Sequence, residues 1–231
     1  MKIMLVVGLL LLIGIFSVAY AALPGRAHGF YGNFAGGANW QSPMGFGAMG
    51  GFGYNQFTRL ELTQALPLIK RVAAGTEAFQ GNDTVIITSS RVSLLVFTMG
   101  HERAINLTGQ APPAYADHDV FVIDGLIDPK LVFEGSTEIN LTTINFDSSM
   151  YHNFVVTTQG PPYPYNSMPY EMQGGMVPFL PPANYGQGYA YAYSYEFSLT
   201  SGHYWYICTY PGHAQMGMYG ELQVNRGDKD E

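Results

Sequence analysis

Short runs of apolar and β-branched residues, separated by turn-forming residues, occupy most of the chain beyond Gly81. In the run 137–146 polar and apolar side chains alternate, which is the period of a half-buried strand. Eight or nine such runs, without helical patterns between them, favour an all-β sandwich. The predicted strands are Thr84–Ser89, Val92–Thr98, Val120–Ile123, Lys130–Phe133, Thr137–Phe146, His152–Thr157, Tyr189–Leu199, Tyr204–Cys208 and Gly220–Val224.

Residues 58–74 show a different pattern, in which apolar residues recur at roughly helical spacing and Gly75 follows as a stop signal. Pro67 lies inside this stretch, and proline kinks or divides a helix. The sequence therefore predicts a short N-terminal helix that packs on the domain and has a structural role.

The N-terminal segment is hydrophobic. Residues 3–19 are almost wholly apolar after Lys2, and Ala19-Tyr20-Ala21 has the small-x-small spacing of a signal-peptide cleavage site. Extended to Leu23, the stretch reaches about 20 residues, which is also enough for a membrane anchor. We therefore expect a signal peptide or membrane anchor over 1–22, with membrane contact through residues 3–22. The remainder of the chain is expected on the extracytoplasmic face, anchored or secreted after cleavage.

Glycine dominates the next segment, with ten glycines between residues 25 and 53 and Arg26 as the only charged residue there. No strand or helix period survives, so we expect a flexible tether. The predicted organisation is an N-terminal segment at 1–22, a glycine-rich tether at 23–57 and a single domain at 58–231 whose core spans 80–226.

A long insertion, residues 159–188, interrupts the strand pattern. It holds seven of the fourteen prolines of the chain, which argues against a strand. Its aromatic residues, among them Tyr163, Tyr165 and Phe179, are too apolar for a freely solvated loop. We expect an ordered cover that lies near the loop following the strand 204–208.

The composition excludes some classes of function. The formal net charge is −7, and the ten Lys and Arg residues are scattered, so nucleic acid is not an expected partner. A single cysteine excludes an intrachain disulfide and leaves either a free thiol or a functional ligand.

Three segments fit the acceptor pattern for N-glycosylation. They begin at Asn82, Asn106 and Asn140 and have Thr two positions later. In an exported protein each is a plausible acceptor, so modification at these three positions is an expectation.

The strongest chemical signal lies between Cys208 and Gly220. Cys208 is followed by His213 five residues later and by Met218 five residues after that. Thiolate, imidazole and thioether are three of the four ligands of a blue-copper electron-transfer site. Pro211-Gly212 allows the loop to turn so that Cys208 and His213 converge. Met216 competes with Met218 for the axial place.

The second imidazole must come from elsewhere in the chain, and His152 is the best candidate by elimination. His28 lies in the tether, while His101 and His118 have charged neighbours typical of solvated loops. His203 would lie at the far end of the strand that carries Cys208, about 16 Å away. His152, by contrast, begins an apolar strand.

Neighbouring residues are predicted to support this site. Asn153 directly follows His152 and could hydrogen-bond across to the Cys208 loop, tying the two halves of the site together. The aromatic residues around the loop would exclude water from the metal; they are Trp205, Tyr206, Tyr210 and Tyr219.

Two other functions use some of the same residues. A copper-storage or delivery protein could use the same ligands but favours an open, exchangeable site. A thiol hydrolase would use Cys208 as nucleophile and a histidine as base, which leaves Met218 without a role and lacks an orienting acid.

The loop Cys208-Thr209-Tyr210-Pro211-Gly212-His213, followed by Gly217-Met218-Tyr219-Gly220, resembles the copper loop of cupredoxins of the rusticyanin and sulfocyanin type. The sulfocyanin group, blue-copper proteins of archaea, is the more similar. Further similarity lies in Asn145-Phe146-Asp147 ahead of His152-Asn153-Phe154, in Pro161–Tyr165 and in Pro178–Tyr185. A hydrophobic N-terminus followed by a tether is also similar to that group.

This resemblance implies a cupredoxin-type Greek-key β-sandwich with one type 1 copper that cycles between Cu(I) and Cu(II). It places the ligands at His152, Cys208, His213 and Met218, with Met218 axial. The implied role is that of an electron carrier, not an enzyme, that passes electrons to a respiratory terminal oxidase in the membrane of an acidophilic archaeon. We expect the docking surface where His213 approaches solvent, beside Pro211, Met216 and the insertion.

Overall fold

The computed structural model describes residues 57–168 and 172–227. Two β-sheets and two short helices make up this part of the chain. In chain order the strands are β1 Thr58–Glu61, β2 Thr76–Phe79, β3 Thr84–Ile87, β4 Arg91–Gly100, β5 Asp119–Ile123, β6 Leu126–Ile127, β7 Lys130–Phe133, β8 Glu138–Asn145, β9 His152–Thr157, β10 Met172–Leu180, β11 Tyr189–Ser198, β12 Gly202–Ile207 and β13 Tyr219–Val224. The helices are α1 Leu62–Ala65 and α2 His101–Thr108.

One sheet has six strands in the order β1-β11-β8-β4-β5-β6, and the other has seven in the order β10-β9-β12-β13-β7-β3-β2. Most neighbours are antiparallel, whereas β4 with β8, β13 with β7 and β3 with β7 are parallel. The parallel pairs join strands that are distant in sequence, so neither sheet is a simple antiparallel meander.

The main core lies where apolar faces of strands from both sheets pack together. Phe121 of the six-stranded sheet packs edge-on against Phe154 and Tyr206 of the seven-stranded sheet, with ring centroids 5.5 and 5.4 Å apart. Cys208 and Met218 belong to this same buried cluster. The strand ends that carry the chemistry of the chain are therefore anchored in the best-packed part of the molecule.

All nine predicted strands are present, with ends shifted by at most a few residues. Alternation identified β8, which buries one face, whereas β5 and β9 are buried throughout and were predicted as apolar runs. Sequence reasoning missed the short strands β1, β2 and β6, whose four, four and two residues are too few to show a period.

The predicted helix over 58–74 was wrong in extent. Its first residues form β1 against β11, α1 has only four residues, and a 3-10 turn at Leu66–Leu68 follows. Pro67 sits at the start of that turn, where its missing N–H costs nothing, but it cannot continue an α-helix. Helix α2 was not predicted; Gly109, at φ 77°, ends it in the left-handed conformation.

The expectation that no strand lies in the proline-rich insertion was also wrong, because β10 pairs with β9 there. β10 lies at the edge of its sheet, and its register shifts twice, before Met176 and after Val177. An edge strand tolerates Pro178 because the outward N–H of such a strand needs no partner in the ladder.

No helix in residues 57–168 and 172–227 is long and apolar enough to cross a membrane. The predicted N-terminal segment at 1–22 and most of the tether at 23–57 lie outside the described residues. Of the predicted glycosylation positions, Asn82 and Asn106 are exposed, whereas Asn140 is half-buried within β8, a central strand of its sheet.

Candidate metal centre

The site is assembled at one end of three adjacent strands of the seven-stranded sheet. β12 pairs with β9 on one side and with β13 on the other, so Ile207 lies opposite Val155 and Tyr219. Cys208 is the first residue after β12, and His152 is the first residue of the antiparallel β9. Antiparallel pairing therefore brings the beginning of β9 to the end of β12.

The loop from Cys208 to Met218 is closed by its own backbone hydrogen bonds. Cys208 N donates to Met218 O at 3.2 Å, Met218 N donates to His213 O at 2.9 Å, and His213 N donates to Tyr210 O at 3.0 Å. These bonds fix the position of His213 relative to the two strand ends. These three backbone hydrogen bonds fold residues 208–218 into one compact loop.

Three metal-binding atoms face one another inside this turn. Cys208 Sγ lies 3.5 Å from His213 Nδ1 and 3.8 Å from His152 Nδ1, and all three atoms lie within 4.8 Å of each other. A first-row metal with bonds of about 2.0–2.3 Å to nitrogen and sulfur separates ligands in a trigonal plane by roughly 3.8 Å. The two sulfur-to-nitrogen distances thus match those of such a plane.

Met218 lies at the end of the loop, where its backbone pairs with Cys208 and His213. Its side chain is fully buried in the core cluster that also contains Cys208. Met216, the alternative sulfur donor, is partly exposed at the outer side of the loop, where its methyl group approaches Gly212. The burial of Met218 suits a thioether that contacts a metal in a dry site.

The facing ligands alter one another's acidity. Burial raises the pKa of the Cys208 thiol, but the imidazoles of His152 and His213 outweigh burial and lower the pKa to about 6. Burial lowers the pKa of His152, but contacts with Asp147 and Cys208 outweigh it and raise the pKa to about 9. A thiolate is the form of cysteine that binds metal, so the site favours coordination through sulfur.

Asn153 connects the two halves of the site. Its side-chain oxygen accepts the backbone N–H of Thr209 at 2.8 Å, and its nitrogen donates to the Thr209 hydroxyl at 2.7 Å. That hydroxyl donates in turn to Met168 Sδ at 3.0 Å. The residues beside His152 and Cys208 are therefore joined directly, and the insertion contacts the loop at Met168.

The insertion covers the loop at further points, as the sequence predicted. Gly212 N donates to Tyr165 O at 2.7 Å, and the ring of Tyr163 packs edge-on against Tyr219, with centroids 5.1 Å apart. The predicted contact between insertion and loop is confirmed for residues 163–168. The side chains of Trp205 and Tyr219 pack against a buried cluster that includes Tyr163 of the insertion, together with Val155, Ile207 and Ala214.

A hydrogen-bonded turn presents His152 to the site. The Asn145 side chain donates to the carbonyls of Met150, Leu180 and Pro181 and accepts from Thr98, so it fixes the turn between β8 and β9. Within this turn, Asp147 Oδ1 accepts from the backbone N–H groups at 149 and 150.

Two carboxylates that sequence reasoning did not assign lie beside the ligand imidazoles. Asp147 Oδ2 is 3.8 Å from His152 Nε2, and Asp119 Oδ2 is 3.6 Å from His213 Nε2. Burial raises the pKa of Asp147, but the contact with His152 and the two backbone donors outweigh it, so the pKa falls below its ordinary value. Asp119 had been noted only as a charged neighbour of His118.

The other histidines lie apart from the three facing ligands. His203 pairs with Glu221 at 2.7 Å and is partly exposed. His118 pairs with Asp119 at 2.9 Å, and His101 Nδ1 contacts the His118 carbonyl. His28 lies outside the described residues. His118, predicted as a solvated loop residue, is exposed, and its partner Asp119 is the carboxylate that lies beside His213.

The prediction that His213 reaches solvent was wrong, because only 1 % of this residue is exposed. The ring of Tyr210 covers one side, with ring centroids 4.6 Å apart, and Asp119 lies at Nε2. Exposed apolar side chains near the loop belong instead to Tyr165 and Tyr115.

Comparison with known proteins agrees with this geometry. Residues 130–225, which carry all four predicted ligands, match the family model of copper-binding proteins of the plastocyanin/azurin family. Rusticyanin of Acidithiobacillus ferrooxidans is 27 % identical over 163 residues, covering 69 % of this chain and 92 % of the relative. Rusticyanin of Acidithiobacillus ferridurans is 26 % identical over 167 residues, covering 69 % of this chain and 76 % of the relative.

Solved structures share the fold. A crystal structure of rusticyanin from Thiobacillus ferrooxidans superposes with a TM-score of 0.57 at 22 % identity, covering 73 % of this chain and 97 % of that one. A solution structure of reduced rusticyanin gives a TM-score of 0.56 at 23 % identity, covering 74 % and 97 %. The predicted two-sheet, mostly-β sandwich with few helices is confirmed.

Proposed function

We propose that this chain is a cupredoxin-type blue-copper protein that carries single electrons on one type 1 copper held by His152, Cys208, His213 and Met218. The observation that carries the proposal is the buried cluster of Cys208 Sγ and two imidazole Nδ1 atoms, at 3.5 and 3.8 Å. Copper supplies the one-electron chemistry of such a site when bound.

The protein residues hold this ligand set in place. Cys208 and His213 belong to a loop closed by backbone hydrogen bonds, while His152 starts a strand in the core. The bond from Asn153 to Thr209 joins those two elements. A ligand set fixed from both sides suits electron transfer, because the geometry needs little change between oxidation states.

We propose a carrier rather than an enzyme. Cys208, His152 and His213 are each at most 1 % exposed, so a substrate has no direct approach to the ligands. The thiol-hydrolase alternative needs an accessible nucleophile, and the burial of Cys208 disfavours it.

The proposed place of work is the extracytoplasmic face of the cell membrane, with residues 3–22 as an anchor or a cleaved signal. The apolar N-terminus after Lys2 and the glycine-rich tether support this. The similarity of the copper loop to that of the archaeal sulfocyanin group supports a respiratory terminal oxidase as electron acceptor. Purification of the membrane complex that binds the copper-loaded chain tests this part: an unrelated complex would contradict it.

Copper storage or delivery is the second candidate function, since it can use the same ligands. The two functions differ in copper exchange, because a delivery site must release its metal. We expect a competing Cu(I) chelator to remove copper slowly from this enclosed site. Fast exchange, complete on mixing, would favour delivery.

A redox titration tests electron transfer directly. The copper-loaded protein should bind one copper per chain and should be reduced and reoxidised reversibly, with the slope of a one-electron couple. Irreversible reduction, or loss of copper on reduction, would contradict the proposed function.

A further inference from the structure

Each of the two imidazoles in the site points its outer nitrogen at a carboxylate. His152 Nε2 lies 3.8 Å from Asp147 Oδ2, and His213 Nε2 lies 3.6 Å from Asp119 Oδ2. Both Nε2 atoms are buried, and neither has a hydrogen-bond partner among the described residues, because the two carboxylate oxygens lie just beyond hydrogen-bond distance. An imidazole that coordinates through Nδ1 carries its proton on Nε2, so each ring directs a donor toward a carboxylate.

Asp147 is held so that one oxygen remains for the imidazole, whereas Asp119 shares one oxygen between two histidines. Asp147 uses Oδ1 for the backbone N–H groups of Ser149 and Met150 and for the Ser149 hydroxyl, which leaves Oδ2 directed at His152. Asp119 begins β5 and is only 2 % exposed. Its Oδ2 atom lies between His213 Nε2 and His118 Nδ1.

We propose that Asp147 and Asp119 are positioning residues of the copper site, each presenting a carboxylate oxygen to the Nε2–H of one ligand imidazole. Carboxylates in this place fix the orientation of the ring and make the imidazole a stronger donor. Their negative charge lies close to the metal and favours the oxidised state. The inference rests on the proposed function and adds to it a means of setting the reduction potential.

The two carboxylates line a cavity of about 490 Å³, and a third acidic residue of that cavity provides a control for the loss of negative charge. Asp119 and Asp147 line it, and so does Glu102, which is exposed and lies in the first turn of α2. All three residues carry the same charge and face the same cavity. No contact joins Glu102 to either ligand imidazole in the described part of the chain. Glu102→Gln therefore removes a charge from the cavity without removing an imidazole contact.

The experiment compares Asp147→Asn, Asp119→Asn and Glu102→Gln as copper-loaded proteins. In each Asp variant we expect the ratio of reduced to oxidised copper at a fixed ambient potential to rise about tenfold, an upward shift of about 59 mV for one electron. The thiolate-to-copper absorption band should keep its position, since Cys208 is unchanged. Glu102→Gln should shift the potential much less.

A second measurement keeps the inference testable if a variant does not fold. In the reduced, diamagnetic wild-type protein labelled with ¹⁵N-histidine, two Nε2–H protons should be visible by NMR and should exchange slowly with solvent. Free ¹⁵N-histidine under the same conditions gives the reference rate for an unprotected proton.

Three outcomes are distinguishable. Upward shifts in both Asp variants, or two protected Nε2–H signals, support the inference. Asp variants that shift no more than Glu102→Gln, or Nε2–H protons that exchange as fast as those of free histidine, overturn it while the wild-type site stays blue and reversible. A wild-type protein with no intense visible band overturns the proposed function itself.

Discussion

At the scale of single residues, Asn153 links the two chain segments that carry the proposed ligands. It neighbours His152 on β9 and bonds twice to Thr209, which neighbours Cys208. Both residues are buried, so water does not replace these bonds if they are lost. Asn153 therefore contributes to stability and to ligand position together.

Asn153→Ala should lower the free energy of unfolding of the copper-free protein by about 2–4 kcal/mol, because two polar groups of Thr209 lose a buried partner. Urea unfolding measures the change. The control Asn82→Ala, at an exposed position, should change it by less than about 0.5 kcal/mol. An Asn153→Ala protein as stable as the control would contradict the linking role.

The thiol of Cys208 should ionise unusually early in the copper-free protein, because the imidazoles of His152 and His213 lower its pKa to about 6. The ultraviolet absorbance of the thiolate should therefore rise with a midpoint near pH 6. A midpoint at the ordinary pKa of cysteine, about 8.5, would contradict the contacts described here.

The same contacts predict how stability depends on pH. The lowered pKa of Cys208 makes the folded state more stable as pH rises above 6, whereas the raised pKa of His152, about 9, adds stability below about 6.5 that is lost as pH rises toward 9. The two slopes oppose each other, so urea unfolding of the copper-free protein should change little between pH 6.5 and 8.5. Cys208→Ser should instead lose stability over this range.

The residues of the site differ in how far the sequence predicted them. Cys208, His213 and Met218 stand within one loop, so their spacing alone indicates a metal site. His152 lies far away in sequence and was reached by elimination. Asp119 and Asp147 could not be assigned, because contact with the imidazoles depends on how β5 and the turn after β8 pack, and a lone aspartate has no local pattern.

At the scale of elements, the loop between β12 and β13 depends on a close approach to a neighbouring segment. Gly217 adopts φ 100°, and a Cβ atom there would lie 1.9 Å from the backbone oxygen of Tyr115. Asp117 N donates to Met216 O at 2.9 Å in the same region. The segment 115–117 is thus packed directly on the loop, next to Asp119.

Gly217→Ala should destabilise the protein by about 2–4 kcal/mol, since it adds a clash with backbone to a strained φ. It should also weaken the copper absorption band by shifting His213 and Met218. Thermal unfolding and the visible spectrum measure these effects. Gly81→Ala is the control, because nothing lies within 4 Å of its Cβ position. Equal behaviour of the two variants would contradict the close approach.

Element prediction succeeded for runs of apolar and β-branched residues and failed where another constraint decided the structure. β8 was predicted from its period and β9 from its apolar run, whereas β10 was excluded because of its prolines. An edge position made Pro178 acceptable, and no sequence pattern reveals which strand lies at an edge. Helix α2, with eight residues, follows β4 without a break, so its start was not visible.

At the scale of the whole molecule, the domain predicted over 58–231 includes the first strand of the described residues. β1 starts at Thr58 and pairs with β11, and Phe57 packs against Tyr191 at 6.3 Å. A fragment of residues 57–231 should therefore fold alone, bind one copper and give the same visible spectrum as the full chain. A fragment that is unfolded or colourless with copper would place part of the domain before residue 57.

The visible spectrum of the copper-loaded protein tests the central claim most directly. Oxidised wild-type protein should be intensely blue, because the Cys208 thiolate bonds to copper in a trigonal site, and one electron per chain should bleach the colour reversibly. Cys208→Ser loaded with copper should be colourless. A colourless wild-type copper complex, or a blue band that persists in Cys208→Ser, would contradict the account.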